Sequence, residues 1–427
     1  MEQLRMNIHQ WLIEHQCSII DHLQRLIKAA GHPDQPENHV QDVFINHWNQ
    51  NNYDVRVHPL NEVDWTKIPI LYLAKPVEQL NQLSNVSALI RGSGGGRSLL
   101  LNGHVDVVPV GKREQWYVDP FGGELIDGKV YGRGATDMLG GIVSMEYALE
   151  SIRKCGIKLK GDVTICAVVE EESGGAGSAA SVLQGITADA AIIAEPTACQ
   201  LYPIQQGSQW FRIHIRGKGA HGGTRDLGVS AIEIGMNVIK AIHRLEANRH
   251  ERGFQAHLHR ANGIAYPINI GTFHAGNWPS SVADEAILEG RYGLMPGQSM
   301  QAAFAEMEDV ILKLNAQDKW LEEHPITLEW YGARWLPNAL EAEHPWYDVW
   351  KQLPIRLGRD IKAAPWGTDA GWLAHIGNIP VMVYGPGTPE QAHQPNESIL
   401  ISDVILAAEE IAIAMMLWCG YDIDQQE

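Results

Sequence analysis

The sequence is poor in cysteine. Its 427 residues hold five, Cys17, Cys155, Cys166, Cys199 and Cys419, with no CxxC pair. An odd, scattered set argues against a disulfide framework and against a cysteine-ligated zinc. Basic charge is also short: 51 Asp and Glu against 33 Lys and Arg leave a formal charge of −18. That argues against general nucleic-acid binding and against basic patches on an anionic membrane. No run of 18 apolar residues occurs, so no transmembrane helix is expected. The opening residues, MEQLRMNIHQWLIEHQ, lack the apolar stretch and cleavage site of a secretory signal, and the expected compartment is the cytoplasm. There is no internal repeat, no low-complexity tract and no HExxH.

What is present fits a soluble globular chain: 45% hydrophobic and 20% charged residues. The length predicts two or three domains. Helical periodicity covers 5–29, and GSGGG at 92–96 reads as a turn before a strand. Short apolar runs at 98–101, 162–169, 190–194 and 380–384 suit strands buried on both faces. Between them, Ile142, Met145, Leu149 and Ile152 share a helix face. The expectation is an α/β fold with a mixed, largely parallel sheet sandwiched by helices.

From 209 to 332 the pattern changes. Residues 210–216 alternate, with Phe211, Ile213 and Ile215 on one face. A helix at 229–246, strands near 267–274 and 286–293, a helix carrying Met300 to Leu314, and a strand at 326–331 complete a ferredoxin-like βαββαβ order. The domains are therefore expected at 1–208 plus 333–427, with 209–332 inserted. His257 and His259, in a polar stretch, are expected at the surface, and the 14 tryptophans in core and pocket wall.

Five segments place acidic or histidine residues after a buried strand or in a glycine-rich turn, where ligands of open α/β sheets bind. They are LLLNGHVDVVP (99–109), GRGATDMLGG (132–141), VVEEESGGAG (168–177), AIIAEPT (191–197) and GPGTPEQAHQPNE (385–397). Each alone has an ordinary explanation: a helix cap for Asp137, a solvated helix start for the three glutamates, a loop histidine for His393. Together, histidines and carboxylates without thiolate suit Zn²⁺, with Co²⁺ or Mn²⁺ as alternatives.

In this order the five segments resemble the metallopeptidase family of acetylornithine deacetylase, succinyl-diaminopimelate desuccinylase, aminoacylase and glutamate carboxypeptidase, over nearly the whole chain. The resemblance implies two divalent metals held by His104, Asp137, Glu172, Glu195 and His393. Asp137 would be the bridge, His104 and Glu195 would serve one metal, and Glu172 and His393 the other. Asp106 would be the partner of His104 and Glu171 the general base for hydrolysis of a linear amide by metal-activated hydroxide. The run Glu170-Glu171-Glu172 stands where the family usually has Asp-Glu-Glu. In the insert, GKGAHGG (217–223) matches a segment whose histidine, here His221, reaches the other subunit's active site. Asn277 and Arg291 match substrate-binding positions of the lid. The insert would then be a lid and dimerisation domain, and the protein a homodimer. Deacylation of a small N-acyl amino acid leads; an N-formyl-aminopyrimidine deformylase or a dipeptidase comes next, and a catalytically silent binding protein last.

Overall fold

The computed structural model describes residues 1–253, 256–261, 263–353 and 361–423. The chain opens with α1 (Glu2–Glu14), α2 (Gln16–Ala30) and α3 (Pro36–Gln50). The helix expected over 5–29 is thus two. His15 leaves the helix at φ −102, ψ 12, and its Nδ1 lies 2.8 Å from the Trp11 carbonyl oxygen. Then come β1 (Asp54–Pro59), β2 (Ser84–Ile90), β3 (Leu99–His104), α4 (Gly140–Lys154), β4 (Val163–Val168), α5 (Ala176–Leu183), β5 (Ala191–Ile193) and β6 (Leu201–Gln205). The middle of the chain holds β7 (Gly207–Arg216), α6 (Ala231–His250), β8 (Ile268–Ala275), β9 (Glu285–Leu294), α7 (Met300–Ala316) and β10 (Thr327–Trp335). It closes with β11 (Asn338–Ala339), α8 (Ala370–Gly377), β12 (Val381–Val383) and α9 (Ile401–Cys419).

The residues divide into two compact units, 1–204 with 338–362 and 368–427, and 205–337 with 363–367. The short return of 363–367 to the second unit leaves no mark in the sequence pattern. In the first unit the strand order is β1-β2-β4-β3-β5-β12-β6-β11. The central pairs β4/β3, β3/β5 and β5/β12 are parallel, and β1/β2, β2/β4 and β12/β6 are antiparallel. This is the mixed, largely parallel sheet with helices that the sequence leads one to expect. Every residue of β3 is buried, which is why its sequence reads as an unbroken apolar run up to Asn102. Gly103 is required there: a Cβ would stand 2.6 Å from the Ile142 side chain on α4.

The second unit pairs its strands β8-β9-β7-β10, all antiparallel. Phe211, Ile213 and Ile215 of β7 meet Ile234, Val238 and Ile242 of α6 and Met307 and Ile311 of α7 in one core. His259 corrects the surface expectation. It is 1% exposed, and its ring lies 4.9 Å from that of Tyr266, whereas His257 is exposed. A short helix, Ala256–Arg260, turns His259 inward while leaving His257 in water. The tryptophans also divide: Trp48, Trp346, Trp350 and Trp372 are fully buried, but Trp210 and Trp278 are exposed.

Candidate metal centre and active site

Four of the five segments end at the carboxyl ends of parallel strands. His104 is the last residue of β3, and the glutamate run follows β4. Glu195 follows β5 and His393 lies in the loop after β12. Asp137 sits in the turn Ala135–Leu139 directly before α4, and its peptide bond to Met138 is cis. Parallel neighbours bring these ends together from distant positions.

The geometry centres on Asp137. Its Oδ1 lies 3.1 Å from His104 Nε2, and its Oδ2 lies 3.2 Å from His393 Nε2. Glu195 Oε1 is 3.8 Å from His104 Nε2, and Glu172 Oε1 is 3.0 Å from His393 Nε2. His104, Asp137 and Glu195 therefore form one group of donors, and Asp137, Glu172 and His393 a second, each with atoms within 4.8 Å of one another.

Asp106 does something other than pair its carboxylate with His104. The His104 Nδ1 lies 2.9 Å from the backbone oxygen of Asp106 and 3.8 Å from Oδ1. Its two carboxylate oxygens instead accept from the backbone N–H of Glu171 (3.2 Å) and of Glu172 (3.1 Å). The backbone carbonyl sets the imidazole tautomer, and the side chain fixes the acidic turn.

The electrostatics are those of negative charge withdrawn from water. Burial pushes Glu171 well above the usual carboxylate range, and the charges of Asp369, Glu195 and Glu172 add to it. Glu195 is raised by burial and by Asp137. Burial lifts Asp106 to about 7. Burial also works against a charged His104, but the hydrogen bond to Asp137 and the charges of Glu195 and Asp106 outweigh it and raise that imidazole. Hydrogen bonds to Asp137 and Glu172 raise His393 to about 10. For Asp137 burial opposes ionisation, yet the two histidines win and hold its carboxyl below its ordinary value. Like charges packed at this density favour a cation. Two imidazoles and three carboxylates, one shared, are a donor set that fits borderline divalent ions.

Several residues without an assigned role in the sequence hold this arrangement. Glu397 Oε1 accepts from the backbone N–H of Thr136 (2.9 Å) and Asp137 (3.1 Å), and Oε2 accepts from Arg133 Nη1 at 2.6 Å. Both side chains are buried. Glu170 stands in the left-handed region at φ 64, gripped by Lys75 through an ion pair and by the Ser173 hydroxyl at 2.8 Å. Trp372 Nε1 donates to the Gly174 carbonyl at 2.9 Å, and Asp369 accepts from the Ser178 hydroxyl at 2.7 Å. Gly175, at φ +82, has no room for a Cβ beside Trp372.

The remaining expected residues lie in the second unit. His221 is exposed; its Nδ1 accepts from the Gly223 N–H at 3.1 Å. Asn277 is exposed. Arg291 is partly buried on β9, where burial lowers its pKa to about 10, and its Nη2 reaches the Pro365 carbonyl at 3.4 Å.

Comparison with known proteins gives a consistent picture. The chain is 30% identical over 362 residues to N-formyl-4-amino-5-aminomethyl-2-methylpyrimidine deformylase of Halalkalibacterium halodurans, covering 78% of this chain and 83% of that protein. It is likewise 30% identical over 348 residues to the Bacillus subtilis deformylase of the same name, covering 77% and 81%. The structure resembles aminopeptidase PepT from Bacillus cereus with a TM-score of 0.68 at 20% identity, over 94% of this chain and 98% of that one. Residues 100–416 match peptidase family M20/M25/M40, a family of metal-dependent hydrolases of amide bonds, and the chain belongs to it.

Proposed function

We propose that this chain is a dinuclear metal amidohydrolase that removes the acyl group from a small N-acylated substrate. The observation that carries the reading is the Asp137 carboxylate, which offers one oxygen toward each histidine. His104 and Glu195 would complete one position, Glu172 and His393 the other, with Zn²⁺ first and Co²⁺ or Mn²⁺ as alternatives. Divalent ions held there supply Lewis acidity and lower the pKa of water towards neutrality. Glu171, buried and with a raised pKa, accepts the proton of the attacking water and passes it to the leaving amine. Asp106 keeps Glu171 and Glu172 in register through their backbone N–H groups. Glu171→Gln is expected to retain its metal and lose turnover by about 10²- to 10⁴-fold. Undiminished turnover would sink the assignment.

Two substrate readings are supported by different observations. The two relatives at 30% identity favour an N-formyl-aminopyrimidine. Arg291, withdrawn from water and without a carboxylate partner among the described residues, favours the carboxylate of an N-acyl amino acid. A panel of N-formyl, N-acetyl and N-succinyl substrates with dipeptides separates them. Under the second reading Arg291→Ala raises KM for the anionic substrates alone. Chelation should abolish hydrolysis of whichever substrate is used, and added Zn²⁺ or Co²⁺ should restore it.

The same reading includes a homodimer in which His221 of one chain stabilises the developing oxyanion in the site of the other. It is supported by exposed apolar Ile232 and Met236 on α6 and by β8, an open edge of its sheet. An active monomer in sedimentation would refute this part.

A further inference from the structure

Away from the Asp137 centre, the first unit brings a second set of metal-type donors together. His22 of α2 and His47 of α3 stack with ring centroids 4.2 Å apart, and both face α4. His22 Nε2 lies 2.9 Å from Glu146 Oε2, and His47 Nε2 lies 2.6 Å from Glu150 Oε1. Donor atoms of His22, His47 and Glu146 all lie within 4.8 Å of one another. Glu146 and Glu150 are four residues apart on α4, hence on one face. His22 and Glu146 are 0% and 1% exposed.

We propose that His22, His47 and Glu146, with Glu150 as a fourth donor, form an additional site for a Zn²⁺-type divalent ion that ties α2 and α3 to α4. A tetrahedral ion with bonds of about 2.1 Å sets its donors about 3.4 Å apart, so the donors of His22, His47 and Glu146 need to close by little more than 1 Å. The outer groups are in place. Trp48 Nε1 donates to Glu146 Oε1 and turns the other oxygen towards His22. Asn51 donates to Glu150 at 3.1 Å. Such outer partners orient ligands and tune affinity. An opposing charge is Arg25, whose Nη2 is 3.4 Å from His22 Nδ1. That side chain is half exposed and already paired with Asp21 at 3.0 Å, so it can withdraw when Nδ1 takes up the proton that Nε2 releases. A surface cleft of about 470 Å³ reaches the His47 and Glu150 side of the cluster and is also lined by Cys17, Asp21, Arg25 and Tyr147. The local field attracts positive charge: burial opposes a charged His47, but Glu150 and Glu146 outweigh it and raise its pKa.

The test counts metal in the purified holoenzyme after dialysis against Zn²⁺, beside His47→Gln, which keeps an amide for Glu150. The variant should hold one zinc fewer per chain, with turnover within about twofold of the parent. Equal zinc content in the two proteins overturns the proposal. A second measurement needs no substitution. Exchange of the bound Zn²⁺ for Co²⁺ should shift or broaden the imidazole resonances of His22 and His47 in ¹⁵N-histidine spectra. Unchanged resonances for that pair overturn it as well.

Discussion

Arg133→Met is the perturbation that most directly tests how the Asp137 turn is held. Arg133 Nη1 donates to Glu397 at 2.6 Å and reaches the Gln394 carbonyl at 3.4 Å. Its Nη2 reaches the carbonyls of Pro109 at 3.3 Å and His393 at 3.5 Å. One guanidinium thus ties the segment after β3, the Asp137 turn and the His393 loop. Methionine matches its bulk but leaves the Glu397 carboxylate buried and uncompensated, a change that costs about 3–5 kcal/mol. Glu397 would still accept from Thr136 and Asp137, so part of the turn persists. Its pKa, already about 7 from burial and the charge of Asp137 against the relief from Arg133, would rise further. Urea unfolding followed by circular dichroism reads the stability. Competition with a fluorescent chelator reads metal affinity, expected to fall about 10- to 100-fold. The double variant Arg133→Met/Glu397→Gln should recover part of the stability, because the orphaned charge is gone. A single variant within about 1 kcal/mol of the parent, with unchanged affinity, refutes the reasoning.

Two further outcomes follow from the same structure. Trp372→Phe removes the donor to the Gly174 carbonyl, costing about 1–3 kcal/mol and loosening the turn that carries Glu171; kcat should fall about tenfold with KM nearly unchanged, and an unaltered kcat would count against the clamp. His259 has a folded pKa of about 4 against an ordinary 6.5, because burial disfavours its charged form. The unfolded chain therefore binds the proton first. Its contribution is complete above pH 6.5 and is lost as the pH falls towards 4, a difference on the order of 3 kcal/mol. His259→Phe should flatten the pH dependence of the urea midpoint across that window; an identical slope in both proteins would rule out His259 as its source.

What the sequence disclosed depended on whether burial left a simple pattern. Strands β3, β4, β5 and β12 are buried on both faces and read as apolar runs. Strand β1 has no buried residue, and its DVRVHP carries no such run. Strand β2 is masked by polar residues with internal partners: Asn85 donates to the Gly177 carbonyl at 2.7 Å and accepts from the Val169 N–H at 3.2 Å. Periodicity runs through the α1–α2 break because Ile8, Leu12, Ile19 and Leu23 all remain buried across it. In the site, His104, Asp137, Glu172, Glu195 and His393 were legible because their chemistry and order are distinctive. Arg133, Glu397, Asp369 and Trp372 were not, since only the fold brings the groups they hold within reach. Asp106 was legible as a residue, but its carboxylate serves the backbone after β4.

Strand β12 lies between β5 and β6, although residues 381–383 follow residues 191–193 and 201–205 only after the whole second unit has intervened. Glu195 and His393 are separated by 393 − 195 = 198 residues. At about 5–20 residues per second of synthesis, roughly 10–40 s pass between their appearances. Throughout that interval β5 has an open edge where Val381 will pair with Ala191, and Asp137 has one histidine. The nascent chain therefore carries a carboxylate cluster and a gap in its central sheet that no earlier segment can close. Its vulnerability to mispairing and proteolysis is set by the arrival of residues 381–393, which complete both the sheet and the candidate metal centre.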